Sequence, residues 1–416
     1  MRRRGKQTDR MARRRIGTAI TMGTNGAVLL LGLGTSVISA RSLGPAGRGD
    51  YFALQAVAAV VALVASFGVP QAIVTLGGEA RRGTRLMIAC HALLVAGVFL
   101  VVDLTLVAVF GTTFLGGWMA PLGAAAFAAS GAAAGDLMAS AQLRGQMLVR
   151  FNAVRLVPLL AGFTTCIALA VSSNRDPSHW LILIGLAQLG AVVPILAGEP
   201  SNGRPQRTEL AALARECARV YPAALLSQIT YKLDVLLVSL LLTNASVGYY
   251  SVASAAGSSV ASLGHAYGML LFSDGHWSRR ATLRRAGLAL GGTAAIAVPA
   301  ALLVPWVVET VYGTAFGAAS TAAQVLVLAA IPQAADYLLI HAHLLSGRLR
   351  RLYYVQGATA LLTVVGLLVA MSDDRLVAVA LVSPISYAVS AVLLAVALPE
   401  RRRASQPPEV REVKHA

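Results

Sequence analysis

Long apolar segments recur along the chain and are separated by short polar stretches. About 20 apolar residues in a helix cross a hydrocarbon core of about 30 Å. Helices are expected because lipid offers no partner for an unpaired backbone group, and the alternating segments of membrane barrels are absent. The pattern therefore predicts twelve transmembrane helices. They are placed at residues 16–40, 50–75, 86–110, 114–140, 152–172, 179–198, 219–242, 249–272, 286–310, 318–345, 352–371 and 376–397.

The positions of Lys and Arg give this map an orientation. Short loops on the cytoplasmic side of a membrane carry an excess of these residues. With the N-terminus in the cytoplasm, all but five of the 35 Lys and Arg residues fall on that side. The exceptions are Arg41, Arg48, Arg175, Arg375 and Lys232. We therefore predict a multi-pass protein of the cytoplasmic membrane with both termini in the cytoplasm.

Composition supports the same class and excludes others. The 416 residues are 56% hydrophobic and 13% charged, whereas soluble domains carry about 25% charged residues. The net charge of +17 resides between apolar segments rather than on one soluble face, so no nucleic-acid partner is expected. The cysteines, Cys90, Cys166 and Cys217, are isolated, and we expect neither a disulfide framework nor a metal site.

Two pairs of short segments repeat at nearly the same distance. LGPAGRGDYF at 43–52 aligns with LTNASVGYYS at 242–251, and AQLRGQMLVR at 141–150 aligns with HLLSGRLRRL at 343–352. Identical residues in the first pair are Leu43 and Leu242, Ala46 and Ala245, Gly49 and Gly248, and Tyr51 and Tyr250. The repeat predicts two six-helix bundles of the same orientation, an arrangement typical of transporters with a substrate path between the halves.

We expect five regions from this organisation. The longest inner loop begins with Pro, Asn and Gly and becomes amphipathic from Thr208, as in a linker followed by a surface helix. The regions are a basic cytoplasmic tail at 1–15, an N-lobe of six helices at 16–198, the inter-lobe linker with its amphipathic helix at 199–218, a C-lobe of six helices at 219–397, and a basic cytoplasmic tail at 398–416.

Four stretches carry a family resemblance. ARSLGPAGRGDYFALQAVAAVVALVASFGVPQAIV resembles the first-loop and second-helix pattern of bacterial polysaccharide, or lipid-linked oligosaccharide, flippases. The segments QLRGQMLVRFNAVRL, KLDVLLVSLLLTNASVGYYSVASA and VYGTAFGAASTAAQVLVLAAIPQ resemble the same family. The resemblance covers most of the chain and is most specific for the multidrug/oligosaccharidyl-lipid/polysaccharide (MOP) exporter superfamily. It implies an all-α polytopic membrane protein with two six-helix lobes around a central cavity.

The resemblance also implies a function. Such proteins move an undecaprenyl-pyrophosphate-linked glycan from the cytoplasmic to the outer leaflet by alternating access. The expected partners are this lipid-linked substrate, the bilayer, and polysaccharide polymerase or assembly proteins. No cofactor is expected apart from a coupling cation, H⁺ or Na⁺.

The polar turn SARSLGPAGRGDYFAL at 39–54 raises the question of why two arginines and a carboxylate stand together. Glycine and proline suit a tight connection between helices, and Asp50 can cap the second of them. Arg41 and Arg48 are expected at the outer headgroup level. They either anchor the hairpin there or contact an exiting phosphate.

Lys232 is the only cation predicted at depth in the membrane, about 20 Å from the cytoplasmic start of its helix. Charges are costly in lipid, so such a residue is a functional candidate. We expect Lys232 to bind pyrophosphate, with Gln228 on the same helix face. A structural ion pair with a neighbouring helix is the alternative.

Four carboxylates fall within the predicted spans. A carboxyl group removed from water takes up a proton more readily, so each is a candidate for a coupling ion, although a structural role is the alternative. They are Asp234, Asp136, Asp336 and Asp103.

Three other functions compete with the flippase. A cation-coupled small-molecule exporter of the multidrug and toxin extrusion type would need an essential carboxylate and not Lys232. An enzyme is not expected, because the outer loops are short and no acid/base constellation is present. A scaffold in an envelope-assembly complex would tolerate the loss of every intramembrane charge.

Overall fold

The computed structural model describes residues 2–76, 84–110, 119–143, 147–199, 207–272, 278–345, 349–371 and 375–398. Within these ranges the chain is helical and contains no strand, as the sequence predicts. Short π-helical turns at Met147–Phe151 and Val308–Tyr312 and a 3₁₀ turn at Thr314–Ala319 join longer helices. The α-helices are α1 Arg2–Ala65, α2 Val69–Leu76, α3 Thr84–Phe110, α4 Met119–Leu143, α5 Asn152–Val171, α6 Pro177–Ala197, α7 Arg207–Leu241, α8 Asn244–Phe272, α9 Arg279–Val307, α10 Ser320–Leu345, α11 Leu349–Met371 and α12 Leu376–Ala397.

Helix α1 consists of two arms that meet at Gly44. Gly44 has φ 68° and ψ 179°, a conformation that glycine adopts readily, and Pro45 follows without a backbone N–H. In a straight helix Ser36 and Arg48 would be roughly 18 Å apart. Instead, Arg48 Nη2 donates a hydrogen bond to Ser36 Oγ at 3.3 Å. The two arms therefore fold back on each other, and the polar turn closes a helical hairpin as predicted.

The helices pack in two groups, which α1 and α2 join by packing against α7 and α8. In the N-lobe, α4 packs against α3 and α6, and α1 packs against α4 and α5. In the C-lobe, α10 packs against α8, α9 and α12, and α11 packs against α7 and α12. Tyr51 and Trp180 lie in the core of the first lobe, and Tyr250 and Phe316 lie in the core of the second. We call α1–α6 the N-lobe and α7–α12 the C-lobe, following the division that the repeat predicts.

Nine helical segments of the described chain are long and apolar enough to cross a membrane. One of them, residues 23–65, contains most of the first two predicted spans, so these segments account for ten of the twelve. The other two spans are α7 and α8, which carry more polar residues and pack against the opposite lobe. Their polarity follows from this position, because they face protein on that side and need not be uniformly apolar.

The lobes meet tightly at the end of the molecule that carries the Gly44 turn and the α7–α8 connection at residues 242–243. We call this the hairpin end. A Cβ atom on Gly49 would overlap the carbonyl oxygen of Asn244, and one on Gly248 would overlap that of Pro45. These residues are the aligned pairs of the sequence repeat. Each turn therefore touches the other through equivalent backbone positions, as approximate two-fold symmetry requires.

A second inter-lobe contact lies at the opposite end, which we call the linker end. Between α1 and α2 the helix breaks at residues 66–68, where Phe67 has φ 47° and Gly68 has φ 72°. Tyr221 of α7 packs its ring on Phe67 with centroids 5.9 Å apart. Its hydroxyl donates to the carbonyl of Val64 at 2.7 Å. The second predicted span, at 50–75, is therefore interrupted where it meets the C-lobe.

Arginines bind the helix C-termini at the linker end of both lobes. Arg150 donates to the carbonyl of Gly198 after α6 and pairs with Glu199 at 3.2 Å. In the C-lobe, Arg351 Nη1 donates to the carbonyl of Ala397 in α12 at 2.9 Å. A cation at a helix C-terminus compensates its unpaired carbonyl groups. The aligned glycines of the second repeat pair, Gly145 and Gly347, lie outside the described residues.

Two region boundaries differ in form from the expectation. Helix α1 begins at Arg2, so the residues assigned to the N-terminal tail are helical. The amphipathic segment from Thr208 is not a separate helix, because α7 runs without interruption from Arg207 to Leu241 with Pro222 inside it. The linker helix and the seventh span thus form one element. The predicted C-terminal tail lies almost wholly outside the described residues.

Candidate functional site: a cavity between the lobes

A cavity of about 350 Å³ lies between the two lobes, next to the hairpin end. Both arms of α1 line it, together with residues of α4, α5 and α6, and α7 and α8 close it from the C-lobe. Its wall is partly apolar, with Phe52, Phe127 and Phe163, and partly polar. The polar lining residues are Thr35, Ser36, Arg48, Tyr51, Gln55, Gln188, Ser251, Ser254 and Ser258. Among the described lining residues none is Asp or Glu, and Arg48 is the one that carries a charge.

Arg48 supplies that positive charge and is only 5% exposed. The sequence placed it at the outer headgroup level beside Arg41, and the structure corrects this position. The residue lies four positions beyond the Gly44 turn, and its long side chain runs back along the first arm of α1 toward Ser39 and Ser36. It therefore points into the space between the lobes instead of toward the headgroups.

Hydroxyl groups hold the guanidinium. Arg48 donates from Nη1 to Ser39 Oγ at 2.7 Å, from Nη2 to Ser36 Oγ at 3.3 Å, and from Nε to Ser251 Oγ of the C-lobe at 3.1 Å. Ser39 and Ser251 donate their own hydroxyl protons to helix carbonyls, which leaves their lone pairs for Arg48. These three bonds use three of the five N–H groups of an arginine. The remaining two are available to a ligand in the cavity.

Aromatic rings complete the surroundings of this charge. The guanidinium carbon lies 5.5 Å from the ring centroid of Tyr51 and 5.9 Å from that of Phe52, within the range of cation–π contacts. Tyr312 of the C-lobe donates to Ser36 Oγ at 3.3 Å and so joins the same network. Among the described residues no carboxylate lies within ion-pair distance of Arg48. The cavity thus presents a buried cation solvated by neutral groups.

Arg41 does not line the cavity. It is exposed at the hairpin end and donates to two carbonyls of the C-lobe, from Nε to Val311 at 2.7 Å and from Nη2 to Thr310 at 2.8 Å. Nearby, the carboxylate of Asp50 accepts a hydrogen bond from Asn244 Nδ2 at 2.5 Å. The expected helix cap at Asp50 is replaced by this inter-lobe bond. Arg41 and Asp50 therefore join the lobes at the hairpin end.

Lys232 and Gln228 lie on α7, and their side chains fall outside the described residues. Val235 of the same helix lines the cavity. Lys232 stands three positions before Val235, a spacing at which residues share a helix face. The backbone therefore allows Lys232 to contribute to the same path, which stays a prediction.

The carboxylates predicted as coupling-ion candidates lie away from the cavity wall, within the lobes. Asp234 is buried in the C-lobe and accepts hydrogen bonds from Tyr250 Oη at 2.7 Å and Ser383 Oγ at 3.1 Å. Asp336 on α10 is fully buried, and it and Asp234 both act electrostatically on Tyr387 of α12. These two candidates belong to one region of the C-lobe.

The other two candidates belong to the N-lobe. Asp103 is buried on α3. Asp136 on α4 is fully buried, and its Oδ2 lies 2.6 Å from Nδ1 of His91 on α3. His91 is not among the site residues predicted from the sequence. Its presence in an apolar span and its position on a helix adjacent to α4 in sequence were the available signals.

Comparison with known proteins establishes the fold. No family model matches the sequence, and no curated protein matches it. Solved structures of transporters do resemble the whole chain, and they include members of the MOP superfamily. The chain therefore has the fold of MOP transporters, as the sequence resemblance implied.

Three structures illustrate the likeness. The lipid II flippase MurJ in an inward closed conformation superposes with a TM-score of 0.68 at 12% identity, over 92% of this chain and 87% of that chain. A multidrug resistance MATE family transporter in an inward-facing conformation gives 0.60 at 13% identity, over 91% and 97% of the two chains. A MATE transporter of Vibrio cholerae gives 0.57 at 11% identity, over 91% and 95%. At these identities the likeness concerns the fold alone.

Proposed function

We propose that the protein is a flippase that moves an undecaprenyl-pyrophosphate-linked oligosaccharide from the cytoplasmic to the outer leaflet by alternating access. In this proposal it resides in the cytoplasmic membrane with both termini in the cytoplasm. The protein translocates its substrate without chemical conversion and is not an enzyme. The polysaccharide polymerase or assembly proteins that receive the glycan are its proposed partners.

The observation that carries the proposal is the buried charge of Arg48. Taking a charge out of water costs several kcal/mol unless a partner compensates it. Hydroxyl groups and aromatic rings solvate Arg48, and no described carboxylate pairs with it. A phosphate group entering the cavity would supply the missing negative charge and accept the two remaining N–H groups. The cavity is thus suited to an anionic headgroup.

Lys232 and Gln228 extend this proposal along α7. A pyrophosphate carries more than one negative charge, and a second cation on the neighbouring helix would share it with Arg48. Arg41 has a different part, because both of its hydrogen bonds go to carbonyls at the hairpin end. We assign Arg41 to closing this end around the substrate path rather than to the substrate.

The fold also supports a flippase, but only in general terms. MurJ, whose structure this chain resembles with a TM-score of 0.68, is a flippase for lipid II. The same two-lobe fold can therefore move a lipid-linked substrate. Transport driven by a coupling cation, H⁺ or Na⁺, is part of the proposal, with Asp234, Asp336, Asp136 and Asp103 as the candidate sites.

A multidrug exporter is the second candidate, favoured by TM-scores of 0.60 and 0.57 to MATE transporters. The cavity argues against it as far as cationic drugs are concerned. A positively charged compound entering the cavity would be repelled by Arg48 and would meet no carboxylate among the described residues of the wall.

A deletion strain tests the flippase proposal against the exporter. The pool of lipid-linked oligosaccharide and the amount of surface polysaccharide are measured together, with and without a plasmid copy of the gene. The proposal expects an accumulated cytoplasmic-leaflet intermediate and loss of the surface glycan. Unchanged pools with increased sensitivity to cationic drugs would reject the flippase and support the exporter.

A further inference from the structure

A buried pair of titratable groups lies behind the inter-lobe contact at the linker end. His91 of α3 is 5% exposed, and Asp136 of α4 is fully buried. Their Nδ1 and Oδ2 atoms are 2.6 Å apart, so one proton is shared in a hydrogen bond between them. The other polar atom of each group, His91 Nε2 and Asp136 Oδ1, has no well-aligned hydrogen-bond partner among the described residues. A purely structural pair would be expected to have these atoms satisfied.

The pair adjoins the helix break at residues 66–68. The imidazole of His91 lies beside the backbone carbonyls of Ala65 and Ser66, at the end of α1. Gly135 precedes Asp136 and lies close to Pro70 at the start of α2. A Cβ atom added at Gly135 would be 3.5 Å from Pro70 Cγ. His91 therefore lies beside the break, and the helix that carries Asp136 packs against the start of α2, whose direction the break sets.

The same segment makes the contact with the C-lobe. Tyr221 of α7 donates to the carbonyl of Val64 and stacks on Phe67. Phe67 has φ 47°, a conformation that is uncommon for a residue with a bulky side chain and is kept only where surrounding contacts hold it. A change in the interactions of residues 65–68 would therefore directly alter the contact of this segment with the C-lobe.

We propose that His91 and Asp136 form a proton-binding site that controls the contact between the lobes at the linker end. The exchangeable proton binds His91 Nε2, while the shared proton stays between Nδ1 and Oδ2. With the proton bound, Nε2–H can donate to a carbonyl of Ala65 or Ser66 after a small shift. Without it, the Nε2 lone pair faces carbonyl lone pairs and repels them. Protonation of His91 thus stabilises the conformation in which the break contacts Tyr221. Release of the proton weakens this contact.

Other groups near the pair do not supply the same response. From α5 and α6, Val154 and Val192 lie in one apolar cluster with Ile88 and Leu137, and the buried Asn152 is a neutral polar residue of α5. From α7, Cys217 lies within the electrostatic reach of Asp136, and Tyr221 faces the break. Helices α1 and α2 contribute backbone carbonyls and Pro70. Histidine is the residue type whose ordinary pKa lies near neutral pH, and His91 is the histidine of this group.

The inference deepens the proposed function, in which Asp136 is a candidate coupling site, and it assumes that the two lobes move; it does not depend on the identity of the substrate. It can therefore be tested without any substrate. Spin labels are placed at Val149→Cys in the N-lobe and Tyr354→Cys in the C-lobe, both exposed and near the linker end. The native cysteines Cys90, Cys166 and Cys217 are replaced by serine. Inter-label distances are measured in lipid nanodiscs between about pH 5 and pH 8.5, which brackets the titration of histidine.

The expected result is a shorter distance at low pH and a growing population of a longer distance at high pH. His91→Gln, whose amide always carries N–H donors, should give the short distance at both pH values. Asp136→Asn removes the charge that favours the imidazolium, so the transition should move to lower pH. His341→Gln, at a half-buried histidine of the C-lobe, is the matched control and should behave as the parent protein.

Three results would overturn the proposal. They are a parent distance that does not change with pH, a pH response that persists in His91→Gln, and an equal loss of response in His341→Gln. The first of these comes from the parent protein and needs no variant to fold. Because the measurement contains no lipid-linked glycan, such a failure would leave the flippase proposal standing. Conversely, unchanged glycan pools in the deletion strain would reject the flippase proposal but would not bear on the proton-binding site.

Discussion

Arg48 brings a guanidinium group into the interface between the lobes, where serine hydroxyls and aromatic rings surround it. The serines accept hydrogen bonds but carry no charge. The group is therefore oriented without being neutralised, which suits a site that must bind an anion and release it again. A carboxylate in the same place would compete with the substrate for the arginine.

The first prediction concerns Arg48 itself. Arg48→Gln removes the charge and should weaken binding of a pyrophosphate-containing lipid about tenfold to a hundredfold, because a charge-assisted hydrogen bond contributes about 1.5–3 kcal/mol. Arg48→Lys should lose less. Binding of undecaprenyl pyrophosphate to purified protein, measured by native mass spectrometry, checks this. Ser258→Ala, in the same wall, is a control for changes in cavity shape. Equal binding by Arg48→Gln and the parent would contradict the assignment.

The second prediction concerns Lys232. Lys232→Ala should abolish export of the surface glycan while the protein still inserts into the membrane, and Lys232→Arg should retain part of the activity because it keeps the charge. Surface polysaccharide and protein level are measured together in the deletion strain. Full export by Lys232→Ala at a normal protein level would exclude a role in pyrophosphate binding.

Residue type and spacing alone could not place these groups. The turn sequence identifies Arg48, but only the fold-back at Gly44 and the nearness of α8 direct its side chain into the cavity. The partnership of His91 with Asp136 likewise depends on how α3 and α4 are rotated against each other. Such rotations follow from packing across the lobe, which a single sequence does not specify.

At the level of helices, the turn at residues 43–52 decides how the lobes meet. Gly49 and Gly248 allow the backbones of the two hairpins to touch, and the Asp50–Asn244 and Arg41 hydrogen bonds surround this contact. All of these bonds join different lobes. The hairpin end is therefore closed by contacts that must break if the cavity is to open there.

Substitution of Gly49 should disturb this closure. Gly49→Ala places a methyl group where the carbonyl of Asn244 now lies, and the hairpins must separate until carbon and oxygen reach a contact distance of about 3.5 Å. A cysteine at Ser254, in the cavity wall, should then react faster with a thiol reagent that cannot cross the membrane. The experiment uses the cysteine-free background described above.

Gly97→Ala is the matched control for this substitution, because no atom lies within 4 Å of a Cβ at Gly97. It should leave the labelling rate of Ser254→Cys unchanged. A Gly49→Ala protein with the same labelling rate as the Gly97→Ala protein would show that the glycine contact does not limit access from the hairpin end.

Helix positions were more predictable than helix irregularities. Each predicted span overlaps a helical element of the structure, because bilayer thickness fixes the length of an apolar segment. The break at residues 66–68 was missed, since Ser-Phe-Gly within an apolar run does not by itself terminate a helix. The sequence also did not predict that α7 continues through Pro222. The polar composition before this proline favours a separate surface helix.

At the level of the whole molecule, two similar lobes line a cavity and touch at both ends. At the hairpin end α1 meets the start of α8, and at the linker end the end of α1 and the break that follows it meet α7. Alternating access requires that one of these contacts loosens while the other holds. The repeat in the sequence predicts two similar halves. In the structure its aligned glycines, Gly49 and Gly248, lie together where the two halves meet.

The orientation of the whole molecule in the membrane gives a further prediction. The hairpin end should face outward, because the loops at the other end contain most of the Lys and Arg residues. A cysteine at Ser173, in the α5–α6 loop, should react with an impermeant maleimide in intact cells. A cysteine at Thr208, exposed at the linker end, should react only after permeabilisation. The reverse pattern would invert the proposed direction of transport.

Translocation in proteoliposomes tests the central claim most directly. Vesicles containing the purified protein and a fluorescent undecaprenyl-pyrophosphate-linked glycan are treated with an impermeant quencher, and the fraction of protected fluorescence is followed over time. The account predicts that the parent protein exposes the inner-leaflet glycan faster than protein-free vesicles, and that Arg48→Gln falls close to the protein-free rate. A parent protein no faster than empty vesicles, or an Arg48→Gln protein as fast as the parent, would contradict it.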